Sequence, residues 1–296
     1  MTSRTLTVGA VEVTAVRDVV ADFPDPLADA FPGVGAAAWA PYRRRYPGVF
    51  DGDDRWRLRV WCFVVRTGDR VVLVDTGVGG PGAPGASWIG TPGRLPGELA
   101  AAGVGLDEVD LVVLTHLHLD HIGWNLAEDG GSPRPLFPRA RYLVQRSDWE
   151  AFAGRPEEAR EAFDRCVRPL QDLGVAELLD GDRTLDPRLT VLHTPGHTPG
   201  SQSLLVRSGG DAVLLWGDVA NHPAQVDRPD WGPGSDALPE TARDTRRRLL
   251  DRLEREAIWL APAHFPEPFG TVTRDGEGRH WTGIVGPRGR GPWAPW

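Results

Sequence analysis

Apolar and polar positions alternate at the start of the chain. Leu6 and Val8, then Val11, Val13 and Ala15, recur at every second position around Gly9, which predicts a strand pair over 5–19. The pattern fails at 21–57, where Pro, Gly and Ala gather around Trp39, Tyr42, Tyr46 and Trp56. This stretch reads as a long irregular insertion of the kind that forms lids or binding loops. Apolar runs resume at 59–66 and 70–75, a hairpin turning at Thr67-Gly68-Asp69. A Gly/Pro-rich loop (77–93), a helix (95–102) and a buried strand (110–115) follow.

The second half predicts a strand at 140–145 and a helix over 147–172, broken near Gly154-Arg155-Pro156. Strands recur at 175–179, 189–193, 202–207 and 212–216. A helix over 239–256 interleaves acidic residues with arginine, and 257–265 is a short strand running into a loop. Residues 270–296 read as a hairpin that gives way, from about 282, to an irregular Trp-rich tail. Strands in runs with helices between them predict an α/β chain whose sheets are covered by helices on their outer faces. Length alone, at 296 residues, fits one large domain with two sheets or two smaller domains.

Composition narrows the chemistry. The net charge of -8 lacks the footprint of a nucleic-acid binder, and the basic runs at 42–46 and 246–248 read as solvated faces. Cys62 and Cys166 are far apart and build neither a disulfide framework nor a CxxC site. The N-terminus has no signal-peptide core, and no apolar run approaches the roughly 20 residues that span a bilayer. A cytoplasmic protein with a small-molecule substrate, and no membrane partner, is expected. All 33 basic residues are arginine, which removes Schiff-base chemistry and Walker-type phosphate loops.

The eight histidines are unevenly spent. "LTHLHLDHIGW" (114–124) places His116, His118, Asp120 and His121 directly after an apolar strand. On an extended strand end, His116, His118 and Asp120 share one face, while His121 begins the next element. Imidazole and carboxylate are the ligands that zinc and similar divalent ions accept. Further candidates stand at later strand ends: His197 in "HTPGHTPGS" (193–201), Asp218 in "LLWGDVA" (214–220) and His264 in "APAHFP" (261–266). His193 lies earlier in its strand and reads as packed beside the ligands.

The series HxHxDH, His, Asp, His resembles the metallo-β-lactamase superfamily in its glyoxalase II-like hydrolase form, from Val71 to His264. The resemblance implies a single domain over 1–296 and an αββα sandwich, two mixed β-sheets packed face to face with helices outside. It implies two divalent metal ions, zinc foremost, with manganese, iron or cobalt also acceptable. His116, His118 and His197 would hold one ion, Asp120, His121 and His264 the other, and Asp218 would bridge them. Asp75 of "VDTG" (74–77) and Thr115 would support the site. A metal-bridging hydroxide would then attack the substrate, with Asp120 as the catalytic residue that orients it or shuttles a proton.

"LFPRARYLVQRSDW" (136–149) and "PAHFPEPFG" (262–270) look like the branch of autoinducer lactonases and parathion hydrolase. Some autoinducer lactonases carry tyrosine three residues after the bridging aspartate. Asn221 stands there in this chain, followed by His222, and either residue is a candidate to face substrate. A generic lactone, ester or thioester is therefore expected ahead of homoserine lactone. The alternatives are phosphotriester hydrolysis and a mononuclear-iron persulfide dioxygenase, while His118 speaks against diiron redox chemistry. Trp88 and Trp124 are the favoured pocket tryptophans, predicting an apolar or aromatic substrate. A homodimer is expected by analogy alone.

Overall fold

The computed structural model describes residues 4–52, 54–127, 132–276 and 278–284. Its first sheet holds β1 (Arg4–Val8), β2 (Val11–Asp22), β3 (Phe50–Asp51), β4 (Arg55–Arg66), β5 (Val71–Val74), β6 (Leu111–Val113), β7 (Arg141–Gln145) and β8 (Ala176–Leu179). Their order is β1-β2-β4-β5-β6-β7-β8, with β3 beside β4. The strands pair antiparallel as far as β5 and parallel from β5 to β8.

The second sheet holds β9 (Arg183–Asp186), β10 (Leu189–His193), β11 (Gln202–Ser208), β12 (Asp211–Leu215), β13 (Trp259–Ala261), β14 (Gly270–Asp275) and β15 (Gly278–Gly283), running in order from β15 to β9. Here β12 and β13 are parallel and the other neighbours antiparallel. Both sheets are mixed. The helices are α1 (Leu27–Ala30), α2 (Ala40–Arg45), α3 (Pro84–Ile89), α4 (Leu95–Ala101), α5 (Arg146–Ala153), α6 (Glu161–Cys166), α7 (Arg168–Asp172), α8 (Ala224–Asp227) and α9 (Pro239–Glu256).

Strand period decides which core each side chain enters. Val72, Val74, Leu111 and Val113 meet Leu204, Val206, Val213 and Leu215 between the sheets. The intervening Leu73 and Val112 face outward onto α4 to α7, with Leu99, Phe152, Phe163 and Leu170. Leu205 and Leu214 face the other way, onto Leu249, Leu250 and Leu253 of α9. With both faces covered, the central strands lose their polar positions and become continuous apolar runs. This is the expected sandwich with helices outside. Among the described residues no helix is long and apolar enough to cross a membrane.

Several boundaries differ from the expectation. The 21–57 segment is not irregular: it folds into α1, α2, two 3₁₀ turns and β3. Its Phe31, Trp39, Val49 and Trp56 are buried in the layer outside the second sheet, so burial of aromatic surface orders a Pro/Gly-rich sequence. The 77–93 loop contains α3, whose Pro84 start and left-handed Gly90 end stand only six residues apart and mask a short helix as a loop. Edge strand β9 was absent from the expectation because "RTLD" is half-exposed and has little apolar signal. The expected hairpin at the C-terminal end is β14 and β15. Residues 285–296 of the expected tail lie outside the described residues.

One side chain ties the first sheet to the loops beyond it. Asp18 on β2 is fully buried and accepts N–H groups from Val78 (2.7 Å), Arg94 and Leu95 (both 2.8 Å), and the Trp124 indole (3.0 Å). Burial pushes its pKa up, while these donors pull it down. Gly77 and Gly93 are required here, because a Cβ at either would collide with the Asp18 carboxylate.

Candidate metal centre

β5, β6, β10, β12 and β13 all end at one edge of the sandwich, and the candidate ligands follow those ends. Backbone bonds lace the ends together: Thr115 C=O accepts from Gln202 N (2.8 Å), and Ala261 C=O from Trp216 N (3.3 Å). After β6 the chain leaves strand geometry at once. A turn from His121 N to His118 C=O (3.0 Å) begins the element that follows, at His121 as expected. The motif's side chains divide between two neighbouring groups. His116, His118 and His197 form one group, Asp120, His121 and His264 the other, and Asp218 joins His116 and His121.

Four of the five rings are aimed by their Nδ1 atoms. Asp75, in the left-handed region at φ 61, accepts from Thr115 N (2.7 Å) and Thr115 Oγ1 (2.8 Å), and lies 2.8 Å from His121 Nδ1. Thr115 Oγ1 is 3.2 Å from His116 Nδ1. His197 Nδ1 faces Asp236 (2.9 Å), and His264 Nδ1 faces the Arg59 carbonyl (2.8 Å). Were Nδ1–H spent on these acceptors, as in the neutral rings that ligate a metal, the four Nε2 atoms would direct lone pairs inward.

The inward atoms cannot satisfy one another. His118 Nδ1 lies 3.0 Å from His116 Nε2 and 2.9 Å from His197 Nε2, and one proton cannot serve both contacts. His121 Nε2 and Asp218 Oδ1 are buried without a hydrogen-bond partner. Lone pairs and carboxylates converging in a buried space fit divalent cations, whose nitrogen ligands stand about 2.0–2.1 Å from the ion. The donor set therefore suits the metal that the motif implies.

Charge is divided between the two groups. Burial, then neighbouring His121, holds His116 well below the usual imidazole range, and burial with His197 does the same to His118. Burial also opposes charge on His121, yet Asp120, Asp218 and Asp75 raise it well above that range. His264 is raised against its burial by Asp218 and Asp120. Asp218 is buried too, but His264, His121 and His116 hold it well below the usual carboxylate range. Positive charge is thus stabilised where the second group meets its carboxylates.

The centre forms the floor of a cleft of about 440 Å³, where His118, Asp120, His197, Asp218 and His264 are exposed to it. One wall is aromatic, with Phe23 stacked on Trp56 (centroids 4.9 Å apart) and edge-on to Trp88 (5.5 Å). Asp25 and Asp29 stand at the rim, joined by Pro233, Gly234 and Ser235, where Gly234 N donates to the Ala30 carbonyl (2.9 Å). Asn221 lines the cleft and donates Nδ2–H to Asp218 Oδ2 at 2.6 Å.

Two expected pocket residues are elsewhere. Trp124 is turned away to reach Asp18 and lines a separate hollow beside α4. His222 is fully buried among Phe31, Trp39, Phe50 and Trp56. Its Nδ1 accepts the Ala224 N–H at 3.1 Å, and burial, with Arg43 nearby, pushes its pKa down to about 3. It is a neutral packing residue. His193 Nε2 lies 3.0 Å from the Pro199 carbonyl and braces that loop.

Sequence reasoning missed Phe23, Asp236 and Arg246. Asp236 stands 39 positions from His197, and nothing in its neighbourhood marks it as a partner. Arg246 did carry a signal. On α9 the buried residues include Ala242, Arg246, Leu249, Leu250 and Leu253, so Arg246 sits within the apolar stripe of the helix. The reading of 246–248 as a solvated face fails at that residue, which is 0% exposed.

Comparison with known proteins agrees with the geometry. N-acyl homoserine lactonase AiiA of Bacillus thuringiensis subsp. kurstaki is 28% identical over 213 residues, spanning 67% of this chain and 78% of that protein. N-acyl homoserine lactonase AttM of Agrobacterium fabrum is 36% identical over 124 residues, 40% of this chain and 43% of its own. The fold is shared with AidC, a dizinc quorum-quenching lactonase solved with the product N-hexnoyl-L-homoserine, at TM-score 0.79 and 20% identity, covering 96% of this chain and 97% of that one. A hydrolase of the beta lactamase superfamily, AbOPH, matches at TM-score 0.79 and 23% identity, with the same coverage. The Metallo-beta-lactamase superfamily pattern matches residues 55–264, and with that span the chain belongs to the metallo-beta-lactamase superfamily.

Proposed function

We propose that the protein is a binuclear metal-dependent hydrolase of small, neutral lactones, esters or thioesters with an apolar or aromatic body. The observation that carries this reading is the convergence of seven donor side chains at the floor of a cleft with an aromatic wall. His116, His118 and His197 would hold one ion and Asp120, His121 and His264 the other, with Asp218 placed between the two groups. When bound, two divalent ions, zinc foremost, supply an activated water and a Lewis-acid contact for the scissile carbonyl.

The remaining chemistry belongs to the chain. Asp120 Oδ2 is 3.5 Å from His264 Nε2 and 3.6 Å from His121 Nε2, and the residue borders the cleft. It is placed to orient the attacking water and hand a proton to the leaving oxygen or sulfur. Asn221 restrains the Asp218 carboxylate. Phe23, Trp56 and Trp88 pack the apolar part of the substrate and exclude water from it. Asp25 and Asp29 at the rim repel an anion. The names of the curated relatives favour a lactone first, while Asn221 keeps the acyl-homoserine lactone as one member of the class.

The test joins elemental analysis of zinc- or manganese-supplemented protein to a panel of lactone, aryl ester, thioester and phosphotriester substrates, with oxygen uptake followed in parallel. Two equivalents of metal are expected, with no oxygen consumed. A neutral aryl or acyl lactone should exceed S-lactoylglutathione by at least about tenfold in kcat/KM, or about 1.4 kcal/mol of transition-state discrimination. Equal turnover of the anionic thioester would sink the substrate assignment, and faster turnover of the phosphotriester would move the protein to phosphotriester hydrolysis. Persulfide-dependent oxygen uptake would replace hydrolysis with redox chemistry.

A further inference from the structure

We propose that Asp236 and Arg246 are a positioning pair for the first ligand group, seating His197 and fixing the segment that walls the cleft. The proposal rests on the metal-binding reading above and assigns a role to two residues outside the ligand set.

Arg246 has no exposed surface, and neither its side chain nor that of Asp236 is open to solvent. A buried guanidinium must spend its donors inside the protein. Nε donates to the Val219 carbonyl (2.6 Å), and Nη1 to the carbonyls of Pro229 (2.8 Å) and Trp231 (2.9 Å). Nη2 donates to Asp236 Oδ2 (3.3 Å). The acceptors come from three places: the residue after Asp218, the 229–231 chain, and the carboxylate that faces His197. Asp236 spends its other oxygen on His197 Nδ1 (2.9 Å). Backbone bonds continue the junction, from Ala237 N to His197 C=O and from Leu238 N to Gly196 C=O, both 2.9 Å.

Two consequences follow. A carboxylate on Nδ1–H holds the ring tautomer and direction that leave Nε2 as a lone pair for the ion. The guanidinium holds that carboxylate in place, while its Nη1 bonds pin the chain that leads to Pro233, Gly234 and Ser235 of the cleft wall. Lysine cannot replace it, since one ammonium on a flexible stem does not reach acceptors spread around a planar fork. Asparagine cannot replace Asp236 either. Turned one way, its NH₂ meets the Arg246 donor; turned the other, it meets His197 Nδ1–H.

The test is a chelator-competition titration of Co(II) and Zn(II) on the full chain, comparing wild type with Asp236→Asn, Asp236→Ala and Arg246→Lys. The Asp236 variants should weaken one equivalent by about 10–100-fold and leave the second within a few-fold. The metal-free variants should keep the wild-type circular dichroism. A merely structural role would weaken both equivalents together. Where a variant does not fold, the wild type still decides: nitrogen-detected NMR should place a carboxylate-bonded Nδ1–H on His197, and its absence overturns the pair. Two equivalents retained at wild-type affinity in both Asp236 variants also overturns it. Fewer than two equivalents in wild type overturns the binuclear reading itself.

Discussion

Replacing Asp218 with alanine should lower kcat/KM by at least about 10³-fold, equivalent to about 4 kcal/mol, and cut bound metal from two equivalents to one or fewer. Its two carboxylate oxygens face the two groups, one each. Oδ2 lies 3.4 Å from His197 Nε2 and 3.8 Å from His116 Nε2, while Oδ1 lies 2.9 Å from His264 Nε2 and 3.4 Å from His121 Nε2. Without it, His121 is left with Asp120 and Asp75, and His264 with Asp120, of the carboxylates that stabilise their charge, and Asn221 loses its acceptor. A buried group left without its partner costs several-fold more than the net value of the pair. Asp218→Asn should fall almost as far, because a neutral amide neither bridges two cations nor offers two anionic oxygens. Rates on the best substrate of the panel, with metal content on the same samples, measure both effects. Retention of two metals and a rate within tenfold of wild type would remove Asp218 from the bridging position.

The convergence of the candidate ligands was legible because the segments that carry them follow apolar strands whose ends could be located from their runs of Val and Leu. His116, His197, Asp218 and His264 stand just past β6, β10, β12 and β13, and parallel or twice-reversed strands bring those ends to one edge. The pocket was not legible on the same grounds. Trp124 looked like a cleft residue because it follows the ligands closely in sequence, but its indole N–H finds an acceptor on β2, 106 positions away. His222 follows Asn221, yet Asn221 borders the cleft while His222 is enclosed by rings from the 21–57 segment. Phe23 and Trp56 reach the cleft because that segment folds onto the second sheet. Such partnerships depend on tertiary packing and leave no periodic trace in the chain.

Asp18 illustrates the same limit and carries the largest expected effect on stability. One aspartate in the strand "VRDVVAD" has no local signal of importance, yet its carboxylate accepts three backbone N–H groups and an indole. Asp18→Ala leaves those donors without acceptors in a buried site. At about 1–3 kcal/mol for each unsatisfied buried group, partly relieved by water entering the space, a loss of at least about 3 kcal/mol is expected. That corresponds to a fall in Tm of about 6 °C or more. Asn in the same place keeps the shape but turns an NH₂ toward one set of N–H donors, so it should recover less than half of the loss.

The damage should also reach the metal centre. Val78 N is held by Asp18, Gly77 C=O accepts from Gly123 N (2.7 Å), and Thr76 C=O accepts from Trp124 N (3.0 Å). Thr76 N in turn donates to the His121 carbonyl (2.8 Å). The turn after β5 and the end of the ligand loop are therefore one hydrogen-bonded unit, anchored from below by Asp18. Metal-loaded Asp18→Ala should bind both ions more weakly as well as melt earlier, unlike Asp236→Asn, which should affect one position only. Thermal unfolding of metal-free and metal-loaded protein separates the two effects. A metal-free Asp18→Asn protein melting within about a degree of wild type would show that the four donors find other acceptors, and that Asp18 does not anchor the loops.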